Sequence, residues 1–313
     1  MDTNERNNIL QKPLVVAVLA IFCCLLWGSA TPCIKTGYKL LEIESTDVGS
    51  VLLFAGLRFS LAGIFTILVT SLLSKKFLYP QKRNWGCVLG LGMVQTVIQY
   101  VFFYIGLANA TGVNSCIVQG SNVFIALIVA SLIFRMEKLN FQKIAGCLIG
   151  FLGIVLVNVV GTDATVGGFS FLGEGFVILS IVAYSFSSVM VKRFSKRELP
   201  YTLSGYQFLF GGIILIVIGG LTGGHIDHFT VASVILLIYM ALLSATAYTI
   251  WGLLLKYNPV GKVTVYSCST PIFGVILSAI FLGEASQSSP WVIVVALILI
   301  CTGITIVNRS KEA

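Results

Sequence analysis

Charge is what this sequence has least of. Only 10% of its 313 residues are Asp, Glu, Lys or Arg, whereas 57% are hydrophobic, and the mean hydropathy is +0.97. Soluble domains carry roughly 25% charged residues, so this chain cannot coat a water-facing surface of its own size. Lipid must be the solvent for most of it. In a bilayer every backbone N–H and C=O needs an internal partner, which leaves helices and closed barrels. The apolar runs are about 20 residues long, the length of a membrane helix and twice that of a barrel strand. Histidine is scarce too. His225 and His228 share one polar loop with Asp227, read as a solvated loop or at most a weak metal site. The eight cysteines all fall in apolar segments, and none has a CxxC or Cys/His spacing, so they read as small packing residues. HExxH, a paired-aspartate motif and a Ser/His dyad are missing from the spans, which argues against an intramembrane enzyme. The long loops or soluble domain of a membrane receptor or scaffold are missing as well. No cofactor and no metal is expected.

What is there is a series of ten apolar segments, near residues 14–34, 48–73, 85–107, 112–134, 142–160, 173–192, 202–221, 231–254, 263–282 and 290–308. The first is too long for a signal-peptide core and reads as a retained span. With the N-terminus inside, 17 of the 20 Lys and Arg residues fall in inner loops. Cytoplasmic loops carry such an excess, so both termini are expected in the cytoplasm and the protein in the cell membrane. The net charge of +8 is then an orientation signal. Spread over many short loops, it does not form a nucleic-acid surface.

The chain also matches itself. Gly56-Leu57-Arg58-Phe59 in the second span recurs as Gly205-Tyr206-Gln207-Phe208 in the seventh. Gly153-Ile154-Val155-Leu156-Val157-Asn158 recurs as Gly303-Ile304-Thr305-Ile306-Val307-Asn308. Residues 1–160 and 165–313 therefore read as two copies of a five-span unit. Five is odd, so the second copy enters the membrane upside down. Inverted repeats are a signature of secondary transporters, because each half can adopt the shape the other holds on the opposite side.

Together these segments carry a resemblance. Leu26-Trp27-Gly28-Ser29 in span one, Leu57-Arg58-Phe59 in span two, Ser269-Thr270-Pro271-Ile272-Phe273 and Leu282-Gly283-Glu284 around span nine, and the Gly-rich ends of spans five and ten resemble the EamA branch of the drug/metabolite transporter superfamily, along essentially the whole chain. The resemblance implies an all-α integral membrane fold, ten transmembrane helices in two inverted five-helix repeats around a central cavity. It implies transport, often efflux, of amino acids or related small polar or amphipathic metabolites. A drug or lipid-like amphiphile exporter of the same fold is the alternative. One departure is visible: where the family's fourth span has a proline to match Pro271, this chain has Phe124, which puts a helix break there in doubt.

Candidate site residues follow from polarity inside spans. Trp27, Thr31 and Lys35 stand at i, i+4 and i+8 on one face of span one, and Tyr184, Ser188 and Lys192 repeat the pattern in span six. Lys35 either attracts an anionic group at the outer mouth or snorkels to headgroups. Arg58 lies about 15 Å in from the outer end of span two, near mid-bilayer, where a charge is costly. It is either a structural arginine satisfied by backbone carbonyls or a solute ligand. Gln99, Gln119, Asn122, Tyr248, Trp251 and Tyr266, with Ser244, could complete a cavity lining. No carboxylate sits mid-span, since Glu137 and Glu284 fall at helix ends and Glu174 at the start of span six, which disfavours an organic-cation antiporter. The partners expected are a small-molecule solute and the bilayer. Gly86/Gly90 and Gly146/Gly150 read as close packing within one chain, so a monomer is expected.

Overall fold

The computed structural model describes residues 9–134, 140–160, 169–195, 197–258, 263, 265–283 and 290–309. Among the described residues the regular structure is helical, with no strand. In chain order the helices are α1 (Pro13–Leu40), α2 (Val48–Leu73), α3 (Lys82–Asn109), α4 (Gly112–Ile133), α5 (Phe141–Val160), α6 (Phe171–Gly175 running into Phe176–Phe194), α7 (Pro200–Leu221), α8 (Val231–Tyr257), α9 (Ser269–Leu282) and α10 (Pro290–Arg309). Eight are long and apolar enough to cross a bilayer. Phe141–Gly153 and Ser269–Leu282 are shorter apolar stretches. Glu137 and Glu284, and the side chain of Lys192, lie outside the described residues.

Helix starts follow capping chemistry. Pro13 and Pro200 open α1 and α7, where the missing N–H costs nothing. Thr111 and Ser170 accept from the backbone N–H groups of Asn114 and Gly173. Thr230 and Ser233 form a reciprocal box at α8. Asp47 caps α2 by accepting from the Ser50 N–H at 3.0 Å. Burial pushes the Asp47 carboxyl up, but hydrogen bonds from Ser50, the nearby His225 and the Gly49 N–H outweigh it and hold the carboxyl below its ordinary value. A depressed carboxylate pKa stabilises the fold above the unfolded value of about 3.9 and loses that contribution as pH falls through the folded value. Asp47→Ala is accordingly expected to destabilise the protein by about 1 kcal/mol at neutral pH. In melting curves the gap to the unaltered protein should close below about pH 4.

Two antiparallel glycine seams organise the packing. Gly49, Gly56 and Gly63 recur every seventh residue on α2, and Gly219, Gly212 and Gly205 run the other way on α7. A Cβ placed on Gly56 would lie 2.7 Å from the backbone nitrogen of Ile216, and one on Gly212 only 2.4 Å from that of Ser60. The backbones are therefore in contact, as small residues permit in lipid. The same holds for α5 and α10, where a Cβ on Gly303 would lie 2.5 Å from the Gly146 carbonyl oxygen. Of the two pairs expected to pack closely, Gly146/Gly150 does so. Gly86 does not, with nothing within 4 Å of its would-be Cβ, and Gly90 meets only the Met190 methyl at 3.7 Å. The remaining neighbours come in matched sets: α1 lies against α8 and α9, and α6 against α3 and α4. One buried cluster is built from α1, α2, α3, α7 and α8, a second mainly from α4, α6, α9 and α10.

Candidate functional site

The polar groups inside the spans are positioned by irregular backbone. α1 contains Pro32, which leaves the Gly28 carbonyl without its helical donor. A Cβ on Gly28 would lie 2.9 Å from the Gly274 nitrogen, so the α1 backbone rests on α9. In α3 a wider π-turn over Gly92–Ile98 helps bury Gln95, Thr96 and Gln99 together. α4 is broken between Gln119 and Asn122, at Gly120 and Ser121. The break doubted on sequence grounds is therefore present without a proline, and it matches the tight turn Val265–Cys268 that precedes α9. Phe124, standing in for proline, lays its ring over Gly150 of α5.

Around these irregularities side chains of six helices, α1, α3, α4, α6, α7 and α8, come together. Trp27 of α1 meets the Trp251 ring at 5.0 Å and the Tyr248 ring at 5.7 Å, both edge to face. One helical turn on, Thr31 Oγ1 accepts from Gln119 Nε2 at 3.3 Å. The Tyr248 and Tyr100 hydroxyls lie 3.4 Å apart, and the Phe208 ring packs on Tyr248 at 4.9 Å. The Tyr184 phenol is within electrostatic reach of those of Tyr100 and Tyr248. The Oε1 of Gln99 and the Oδ1 of Asn122 are buried with no hydrogen-bond partner. A buried acceptor left open costs about 1–3 kcal/mol, so each is an available contact for a polar ligand.

Arg58 lies behind the tyrosines and is only 3% exposed. Its Nη1 donates to the Tyr104 hydroxyl at 2.8 Å and its Nη2 to Ser244 Oγ at 3.1 Å, while the Phe59 ring covers it at 5.0 Å. Its Nε has no partner. Of the two readings offered from sequence, a structural arginine or a solute ligand, the first expected backbone carbonyls as partners; neutral hydroxyls hold it instead. Gln207, its counterpart in the repeat, accepts at Oε1 from Thr96 Oγ1 at 2.6 Å.

Other candidates lie elsewhere. Lys35 lines a cavity of about 180 Å³ with Tyr38, Lys39, Ile43, Ser45, Leu107, Ala108 and Leu282, at the C-terminal ends of α1, α3 and α9. Ser188 donates to the Tyr184 carbonyl of its own helix at 2.9 Å. Tyr266 packs with Trp251 against Val16, Ala20, Leu254 and Val263, toward the opposite end of α1. His225 and Asp227 are 3.8 Å apart and exposed, and the described residues hold no group of three metal-binding side chains. Sequence reasoning missed Tyr104 and Tyr38. Tyr104 was recoverable, since it follows Tyr100 by one helical turn. Glu174, expected at a span start, is there but 4% exposed, accepting from the Ser170 N–H and facing Asn114.

Apolar helices packed around amide, hydroxyl and aromatic side chains define a multi-pass membrane protein with a polar site in its interior. The profile of the EamA-like transporter family matches residues 14–159 and again 171–309, and the chain belongs to that family, within the drug/metabolite transporter superfamily. It is 24% identical over 300 residues to the uncharacterized transporter YvbV of Bacillus subtilis, covering 95% of this chain and 92% of that one. It is 24% identical over 281 residues to a Salmonella typhimurium protein named "Probable amino-acid metabolite efflux pump", covering 85% and 86%. A solved crystal structure, 19% identical, superposes with a TM-score of 0.64 over 94% of this chain and 98% of the other, a likeness of fold. The chain is a membrane transporter, and its family moves solutes rather than transforming them.

Proposed function

We propose that the protein is a secondary transporter that exports amino acids or similarly small polar or amphipathic metabolites by alternating access. Ten spans, in inverted repeats over 1–160 and 165–313 with both termini cytoplasmic, form the frame. Support for the repeat comes from the neighbours: α2 on α7 and α5 on α10, with α1 against α8 and α9 as α6 is against α3 and α4. Exchanging the halves maps this set onto itself. The observation that carries the functional reading is the convergence of Trp27, Thr31, Gln119, Tyr248 and Trp251 between α1, α4 and α8, with the buried amide oxygens of Gln99 on α3 and Asn122 on α4 left unsatisfied. Rings receive an apolar group and amides orient a polar one, the usual make-up of a small-molecule site. Lys35, Arg58, Gln99, Asn122, Tyr184, Ser188 and Tyr266 complete the proposed lining. The twofold match to the family profile supports the same reading.

The test is flux. Purified protein in liposomes, loaded with labelled leucine or phenylalanine, should release label faster than protein-free liposomes. Trp27→Ala and Tyr248→Ala should each cut the rate at least about tenfold, the loss of roughly 1.4 kcal/mol of contact. If both variants transport at the original rate, the site is elsewhere. Flux no greater than that of empty liposomes for every amino acid would dismiss the reading.

A further inference from the structure

Arg58 carries a charge that the packing does not need. Removing a guanidinium from water is costly unless an opposite charge and a full set of hydrogen bonds offset the loss. Among the described residues no carboxylate stands against Arg58, whose partners are two hydroxyls and a ring. Its Nε–H is buried with no acceptor. The equivalent place on α7 is filled by neutral Gln207, so the helix pair packs without a cation.

The missing partner is legible from geometry. Nε–H and an adjacent Nη–H form one edge of the guanidinium fork, which matches the two oxygens of a carboxylate. The Ser244 hydroxyl can rotate away when a stronger acceptor arrives, while the Tyr104 oxygen, fixed by its packed ring, stays on Nη1. A chain of hydrogen bonds links the site to the cavity at the ends of α1, α3 and α9. Tyr38 in the cavity wall donates to the Tyr104 carbonyl at 3.0 Å, and Tyr104 holds Arg58 through its hydroxyl. The same cavity wall carries Lys35 and Lys39. On its other side Arg58 faces Tyr100, whose hydroxyl reaches Tyr248 and so the Trp27 ring.

We propose that Arg58 binds the anionic end of the transported solute, a molecule with one carboxylate next to an apolar group that the Trp27, Tyr248 and Trp251 rings receive. This rests on the transporter reading above and narrows it to carboxylates, with neutral and purely cationic amphiphiles excluded.

The experiment compares an acid with its neutral isostere. Binding of L-phenylalanine, 3-phenylpropionate and 3-phenylpropanamide to the full-length protein is measured by titration calorimetry, first at low salt and then with chloride added as the background anion. The two carboxylates should bind, and the amide on the order of a hundredfold more weakly. Arg58→Gln should erase the difference between acid and amide, and Arg58→Lys, which keeps charge but loses the fork, should restore part of it. Equal affinity for acid and amide overturns the proposal, as does full acid binding by Arg58→Gln or no binding by either carboxylate. A response to chloride alone, to which carboxylates add nothing, assigns Arg58 to an inorganic anion and also overturns it. The acid–amide comparison uses the unaltered protein, so it holds even if Arg58→Gln does not fold. Flux of the same probes separates the two ideas: an amide carried as fast as the acid leaves the transporter standing and removes only the carboxylate.

Discussion

Gly219→Ala is expected to melt the protein well below the unaltered chain, while Gly220→Ala, one residue further on, leaves its stability unchanged or slightly raised. Both glycines lie in α7 and both changes add one methyl group. At Gly219 that methyl would lie 2.7 Å from the Gly49 carbonyl oxygen and 2.8 Å from the Leu53 nitrogen. These are backbone atoms, which cannot swing aside as a side chain can, so the two helices must separate along the seam. Forced overpacking usually costs 1–3 kcal/mol, and a rigid neighbour puts this case at about 3 kcal/mol or more. At Gly220 nothing lies within 4 Å of the added carbon. Alanine there only gains helix propensity, about 0.5–1 kcal/mol. Gly303→Ala should behave like Gly219→Ala, because its methyl meets the Gly146 carbonyl oxygen at 2.5 Å. Monodisperse protein remaining after stepwise heating measures all three. Matching curves for Gly219→Ala and Gly220→Ala would mean that α2 and α7 are not in backbone contact.

Most of the helices were legible in the sequence because lipid allows few alternatives. The span read at 48–73 is Val48–Leu73, and 202–221 became Pro200–Leu221. Boundaries moved where the apolar rule loses force. α1 runs to Leu40, well beyond the expected 34, so that Lys39 joins Lys35 in a cavity wall. α9 begins as an α-helix at Ser269 instead of 263, since Val265–Cys268 winds more tightly. The break in α4 was hidden because proline is its usual sign, whereas here Gly120 and Ser121 produce it. Small-xxx-small spacing showed which glycines could approach a helix but not which way they face, hence the difference between Gly146 and Gly86. In the site, Trp27, Thr31, Gln119, Tyr248 and Trp251 could be named in advance as polar or aromatic groups within spans. Their pairing across three helices could not, since it depends on the break in α4 and the proline in α1.

If Arg58 is the proposed anion ligand, it sets stability against function, and two variants should separate them. Tyr104→Phe removes the acceptor of Nη1 and leaves it unpaired beside an Nε that is already so. Stranding a buried donor costs about 1–3 kcal/mol, with more for a charged group, so the variant should melt clearly early. Arg58→Met removes the charge and keeps an unbranched apolar side chain against Phe59. Replacing a buried ion pair by apolar residues of similar volume is often neutral or stabilising, and a buried cation with no carboxylate against it forfeits still less attraction when it is removed. Arg58→Met should therefore melt no lower than the unaltered protein, and in the double variant it should cancel the loss caused by Tyr104→Phe. Two contacting residues of one network are where such non-additivity is expected. Carboxylate flux should nonetheless vanish in Arg58→Met, stable though it is. Stability raised and transport lost by one substitution is the result expected of a charge kept for its ligand. If Arg58→Met instead melts as early as Tyr104→Phe and the two losses add, the arginine is holding helices together, and the anionic end of the solute must be bound elsewhere.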